Sequence, residues 1–186
     1  MNRHALAQSQ VPLFLSGATE LRVVVKPQPE CEDVGKWRHA STNDRHCFTY
    51  VGLYVHLQDI CPYPVGSELA LTETWRIGAW NEDTGCVAVD YKADGFCRRE
   101  WLKYPDPTGD GSRFNDLWIE CTIEAEDAGM QVDGDGQYQW EPGQSPCRWR
   151  RAITMPAEFS RFPRRVAAVR AEHGELWEWV LTLEEA

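Results

Sequence analysis

The sequence predicts a mainly β protein with short helices, arranged as a small, mostly antiparallel barrel. Three observations predict it. Apolar and polar residues alternate with period two in six or seven short stretches. Clusters of Pro, Gly and Asp punctuate the intervals between them. No strand–helix–strand alternation appears, which argues against a doubly wound parallel sheet. A length of 186 residues suits one globular domain, expected to span 1–186 with a polar, acidic insertion around 103–146.

Val11-Pro12-Leu13-Phe14-Leu15 predicts a short helix, with Pro12 in its first turn and Gly17 as its cap. Arg22 to Lys26 reads as a strand stopped by Pro27 and Pro29, and 28–47 as a long loop. Phe48 to Leu57 alternates, with Val51, Leu53, Val55 and Leu57 on one face. Glu68 to Trp75 alternates again, which sets Glu73 among Leu69, Leu71 and Trp75; a carboxylate on that face is costly unless something pairs with it. Val87, Val89 and Tyr91 mark the next strand, closed by the turn pair Asp94-Gly95. Leu117, Ile119, Cys121 and Ile123 alternate with polar residues and predict a strand. Residues 125–146 read as a surface loop and Met155 to Phe162 as a short helix. Val166 to Arg170 and Leu176 to Leu183 flank His173-Gly174 as a β-hairpin. The period-two spacing places Leu69, Leu71, Val87, Val89, Ile119, Ile123 and Leu181 in the interior.

The formal net charge is −10, with 29 acidic and 19 basic residues. That balance argues against a protein that coats duplex nucleic acid by bulk charge. It leaves room for a small basic pocket that reads one nucleotide, and for an acidic surface that binds a basic partner. No apolar run reaches the length of a membrane span, and Met1 to Gln10 lacks the apolar core of a secretory signal. A cytoplasmic location is expected, the host cytoplasm if the gene is carried by a phage.

The seven cysteines, an odd number without a CxxC, read as reduced thiols. His39, His46, Cys47 and Cys61 are the nearest approach to a metal cluster, but their spacing fits no usual zinc pattern. Asp106-Pro107-Thr108-Gly109-Asp110-Gly111 resembles the start of a calcium loop, yet Leu117 stands where the bidentate glutamate belongs; the segment reads as a polar turn. No GxGxxG, P-loop or GxSxG motif occurs, and no cofactor is expected.

Four blocks carry a resemblance when read in order. They are Gly17 to Pro29 (GATELRVVVKPQP), Cys61 to Arg76 (CPYPVGSELALTETWR), Tyr91 to Gly95 (YKADG) and Trp149 to Phe162 (WRRAITMPAEFSRF). In this order they resemble the ASCH-domain proteins of phages and prophages. The resemblance implies a β-barrel related to the PUA domain, with RNA or a nucleotide bound in a cleft beside it. One branch of that family hydrolyses N4-acetylcytidine, with chemistry attributed to a Lys and a Thr after the first glycine and a Glu on a later strand. Here Ala18, Thr19, Glu20 and Leu21 follow Gly17, so the motif lysine is absent and no such hydrolysis is expected.

The remaining cleft candidates are Thr19, Arg22, Lys26, Glu73, Trp75, Arg148 and Arg150. An aromatic face beside a guanidinium suits a stacked base and a phosphate, and Glu73 suits an exocyclic amine. The alternative is structural: Trp75 in the core, Glu73 paired internally with Arg22, and the arginines of Arg148 to Arg151 on the surface. The functional expectation is a module that binds a nucleotide or single-stranded RNA. Its rival is an acidic phage-type protein that binds and inhibits a host or defence protein.

Overall fold

The computed structural model describes residues 1–25, 37–42, 45–50, 53–56, 61–106, 109, 111–134, 137–173 and 175–186, with the strands between 37 and 56 described by backbone alone. The chain is mainly β with short helices, as the sequence predicts. The described residues include the strands β1 (Asn2–Ala5), β2 (Glu20–Val24), β3 (Trp37–Thr42), β4 (Arg45–Tyr50), β5 (Leu53–His56), β6 (Glu68–Thr72), β7 (Trp75–Asn81), β8 (Cys86–Tyr91), β9 (Cys97–Lys103), β10 (Phe162–His173) and β11 (Trp177–Glu185). They form sheets of five strands (β1-β6-β10-β11-β2) and of three (β3-β4-β5 and β7-β8-β9). The pairs β10–β11, β11–β2, β3–β4, β4–β5, β7–β8 and β8–β9 are antiparallel.

Helix α1 (Val11–Leu15) ends as expected at Gly17, whose φ of 89° is a left-handed value that favours glycine. The stretch expected as one strand over 48–57 is two, β4 and β5, which pair antiparallel from Cys47–His56 to Tyr50–Leu53. The hairpin at the end of the chain is longer than its alternation suggests and pairs Arg164 with Glu185 through to His173 with Trp177.

The sequence misassigns several regions: Trp37–Thr42 forms β3 inside the stretch expected as a loop over 28–47, and β9 carries no strand signal. Residues 112–127 form a helix, α2 (Ser112–Asp127), where alternation over 117–123 predicts a strand. Phe114, Leu117, Cys121, Glu124 and Ala125 are buried, a helical spacing, while Ile119 and Ile123 are about half exposed. The other five positions expected inside, Leu69, Leu71, Val87, Val89 and Leu181, are fully buried. The short helix expected over 155–162 is a 3₁₀ turn at Ala157–Phe159, preceded by another at Ala152–Thr154.

The chain divides into two compact units: Met1–Asn2, Phe14–Leu69 and Pro163–Ala186 in the first, Arg3–Leu13 and Ala70–Phe162 in the second. Leu21, Leu69, Val166, Val180 and Leu181 are buried in the first. In the second, one side of α2 packs on the β7-β8-β9 sheet, where Phe114, Leu117 and Cys121 join Trp75, Ile77, Val87, Val89, Tyr91, Met155 and Phe159.

Candidate functional site

The site grows from one backbone bridge in the second unit. The Trp75 and Arg150 amides each donate to the other's carbonyl, at 3.1 and 2.6 Å, which lays the run Arg148 to Arg151 along the start of β7. A cleft of about 360 Å³ opens there, lined by Trp75, Tyr104, Glu120, Trp149, Arg150 and Arg151 among others. The Trp149 indole is 37% exposed, enough for a planar ligand to reach it. The Arg76 guanidinium carbon lies 4.4 Å from the centre of that ring and the Lys92 ammonium 5.8 Å from it, both within cation–π range. Burial pushes the Tyr104 hydroxyl above the usual phenol range, so it stays protonated as a donor.

Arg76 is held as a strut. Its guanidinium donates to Asp90 at 3.2 Å, to the Ser145 carbonyl at 2.7 Å and to the Gly143 carbonyl. Asp90 is 1% exposed, and its other oxygen accepts from Arg99 at 2.7 Å. Gly78 makes room for this pair, since a Cβ there would collide with the Arg99 and Asp90 side chains. Arg99 in turn lines a second cavity, of about 430 Å³, with Trp80, Trp118, Tyr138, Trp140 and Glu82. Trp80 and Trp140 meet there at 5.3 Å between centroids and 51°. The Arg76–Asp90–Arg99 relay thus joins the walls of two aromatic cavities.

The sequence-derived candidates fare unequally. Arg150 lines the cleft; it donates to Glu120 at 3.0 Å and to Cys121 Sγ at 3.8 Å, with its second terminal nitrogen 3.6 Å from Glu124. Trp75 contributes only its edge: it is 1% exposed, packs edge-on to Phe159 at 5.6 Å and donates its indole N–H to Thr154 at 3.4 Å. Its ring is core and offers no face for a base. Arg148 is exposed; it pairs with Asp127 at 3.3 Å and is absent from the cleft lining.

The expected Glu73–Arg22 pair is replaced by two separate networks. Glu73, 1% exposed between β6 and β7, takes both prongs of Arg161, at 2.6 and 3.0 Å. Arg161 also donates twice to Asp94, at 2.8 and 2.9 Å, and lies 4.6 Å from the Tyr91 ring centre. A planar fork with five donors serves two carboxylates at once. Burial raises the Glu73 carboxyl and Arg161 opposes that rise; Arg161 holds Asp94 below the usual carboxylate range. Arg22, on the open face of β2, instead meets Glu172 at 2.9 Å, Glu178 at 3.3 Å and Glu20 at 3.4 Å. Thr19 is exposed and its carbonyl accepts from Leu183. Lys26 lies outside the described residues.

His39, His46 and Cys47 fall on β3 and β4, whose side chains are not described. Cys61 is buried, and its thiol donates to the Tyr63 carbonyl. Cys61, Cys86, Cys97, Cys121 and Cys147 are free thiols. At the expected polar turn, the Asp106 carboxylate accepts from the Gly111 amide.

The residues that sequence reasoning missed are Trp149, Arg151, Tyr104, Arg76 and Lys92. Trp149 and Arg151 carried a local signal, both lying in the basic run Arg148 to Arg151. Comparison of the chain with protein-family models, with curated proteins and with solved structures finds no match.

Proposed function

We propose that this chain is a nucleotide or single-stranded RNA binding module of ASCH/PUA-like type, encoded by a phage or prophage, and that its ligand enters the cleft at Trp149. The observation that carries the reading is an exposed indole with two cations against its ring, in the wall of a cleft of small-ligand size. One base stacks on Trp149, a contact worth about 1–3 kcal/mol and tolerant of sequence. Arg151 is exposed and has no ion pair among the described residues, so it is available to a phosphate; Lys92 offers a second cation. Arg150 is largely neutralised by Glu120 and shapes the pocket more than it attracts.

The test is titration of labelled short single-stranded RNA and of mononucleotides into wild type, Trp149→Ala and Arg151→Gln. Each substitution should weaken binding roughly tenfold, the lower part of the range for one stacked base. The Trp75 ring being core, the milder Trp75→Phe should change stability rather than affinity. A second reading rests on α2: Ile119 and Ile123 lie half exposed beside Asp116 and Glu120, an acidic face with an apolar stripe that suits a basic protein partner. Absence of any oligonucleotide or nucleotide binding by a cooperatively melting wild type transfers the proposal to that face.

A further inference from the structure

Beneath the cleft, α2 and the segment that leads to Arg150 bring three metal-ligating side chains together. Cys121 and Glu124 stand at i and i+3 on one face of α2, and Cys147 approaches from the facing segment. Their Sγ and carboxylate oxygen atoms all lie within 4.8 Å of one another, and the residues are 0%, 4% and 2% exposed. Tetrahedral bonds of about 2.3 Å to each thiolate and about 2.1 Å to the carboxylate set the ligand atoms roughly 3.6–3.8 Å apart, so the three side chains close in by up to about 1 Å on an ion. We propose that Cys121, Glu124 and Cys147 bind a divalent, thiolate-seeking metal ion, zinc by preference, with the fourth position left to a ligand from outside this set.

The surroundings match such an ion. The Arg148 amide donates to one Glu124 oxygen at 3.0 Å, which orients the carboxylate as an outer hydrogen bond orients a metal ligand. The Ser145 hydroxyl accepts from the Cys147 amide at 3.2 Å and donates to the Ile77 carbonyl at 2.6 Å, which anchors the Cys147 segment to β7. Charge closes as well. Two thiolates and a carboxylate carry three negative charges, and a divalent ion together with the Arg150 guanidinium, 3.6 Å from Glu124, neutralises them. Binding releases the two thiol protons to solvent and leaves no unpaired charge buried. Two sulfurs with one oxygen select zinc over calcium or magnesium, which take oxygen ligands alone.

The test uses the full chain, purified under reducing conditions and dialysed against zinc. Elemental analysis should find one zinc per chain, and cobalt(II) loading should give the intense near-ultraviolet band of thiolate-to-cobalt charge transfer. Cys121→Ser and Cys147→Ser should each abolish that band, Glu124→Gln should weaken metal affinity by about tenfold or more, and Cys86→Ser and His46→Ala should leave both signals intact. Should a serine variant fail to fold, wild type still decides: in mild denaturant, where these buried thiols become reachable by local opening, zinc should slow the alkylation of Cys121 and Cys147 and a chelator should restore it. No bound metal, metal lost in His46→Ala but kept in Cys121→Ser, or an intact mass two hydrogens lighter with Cys121 joined to Cys147 would each overturn the proposal.

Discussion

Glu73, Arg161 and Asp94 show how burial and charge divide the work of one cluster. Glu73 is sealed at 1% exposure, and Arg161 is the group that keeps its charge there tolerable. Removing one member of such a pair strands the other, at a cost of about 3–5 kcal/mol. Glu73→Gln and Arg161→Gln should therefore each lower stability by that order in denaturant titration. Arg22→Gln, on an exposed network of several carboxylates, should melt near wild type. The two carboxylates respond to pH with opposite sign. Asp94 is held low by Arg161, so its contribution is present above its unfolded value and is lost as pH falls through its lower folded value. Glu73 is raised by burial, so its own contribution is present below its unfolded value and is lost as pH rises through the folded value. Wild type should accordingly exceed Asp94→Asn in stability most at neutral pH, with the gap closing below about pH 4. Equilibrium unfolding of both proteins from about pH 7 to pH 3 checks this, and a gap that ignores pH would contradict it. The need of Glu73 for a partner was legible in the sequence, because it sits between Leu71 and Trp75. The partner was not: local pattern does not say which of several distant arginines the fold delivers, and it delivers the one that enters β10.

Elements were legible where large apolar residues recur at every second position of a strand. β8 and β11 read as strands because alternation is the only pattern that keeps Val87 and Val89, or Trp179, Leu181 and Leu183, on one side. α2 was misread because Leu117, Ile119, Cys121 and Ile123 satisfy period two while Phe114, Leu117, Cys121 and Ala125 satisfy the helical period over a longer window. The longer window decides, since sixteen residues exceed an ordinary strand and carry a continuous apolar face only as a helix. The two assignments differ in a measurable way. With the helix, Leu117→Ala should cost about 2–5 kcal/mol, as buried Leu-to-Ala changes do, and Ile119→Ala at most about 0.5 kcal/mol. Denaturation of the two variants checks the pair; equal losses would contradict the helical face. β9 was missed for the opposite reason: Arg98, Arg99 and Glu100 separate Cys97 from the adjacent pair Trp101 and Leu102, so no alternation appears, and its pairing with β8 supplies what pattern does not.

At the scale of the molecule, the net charge of −10 and the basic cleft make opposite demands on a nucleic-acid ligand. On the proposed reading, the acidic surface would repel it at long range, and a few cations around Trp149 would hold it at short range. Tertiary structure set that arrangement by drawing Arg76 from β7 and Lys92 from the turn after β8 onto a tryptophan some sixty residues further along the chain, a meeting with no signature in any one segment. With Lys92 and Arg151 as the phosphate-facing cations, the logarithm of the binding constant should fall against the logarithm of salt with a slope of about −1.4. A steeper slope would point to a wider basic surface than the cleft provides. The most direct measurement is fluorescence anisotropy of a labelled single-stranded RNA titrated with wild type and Trp149→Ala at low and moderate salt. Wild type should bind saturably with that shallow slope, and Trp149→Ala should bind about tenfold or more weakly without loss of melting temperature. Equal affinity of the two proteins, or no binding by a folded wild type, would contradict the proposal.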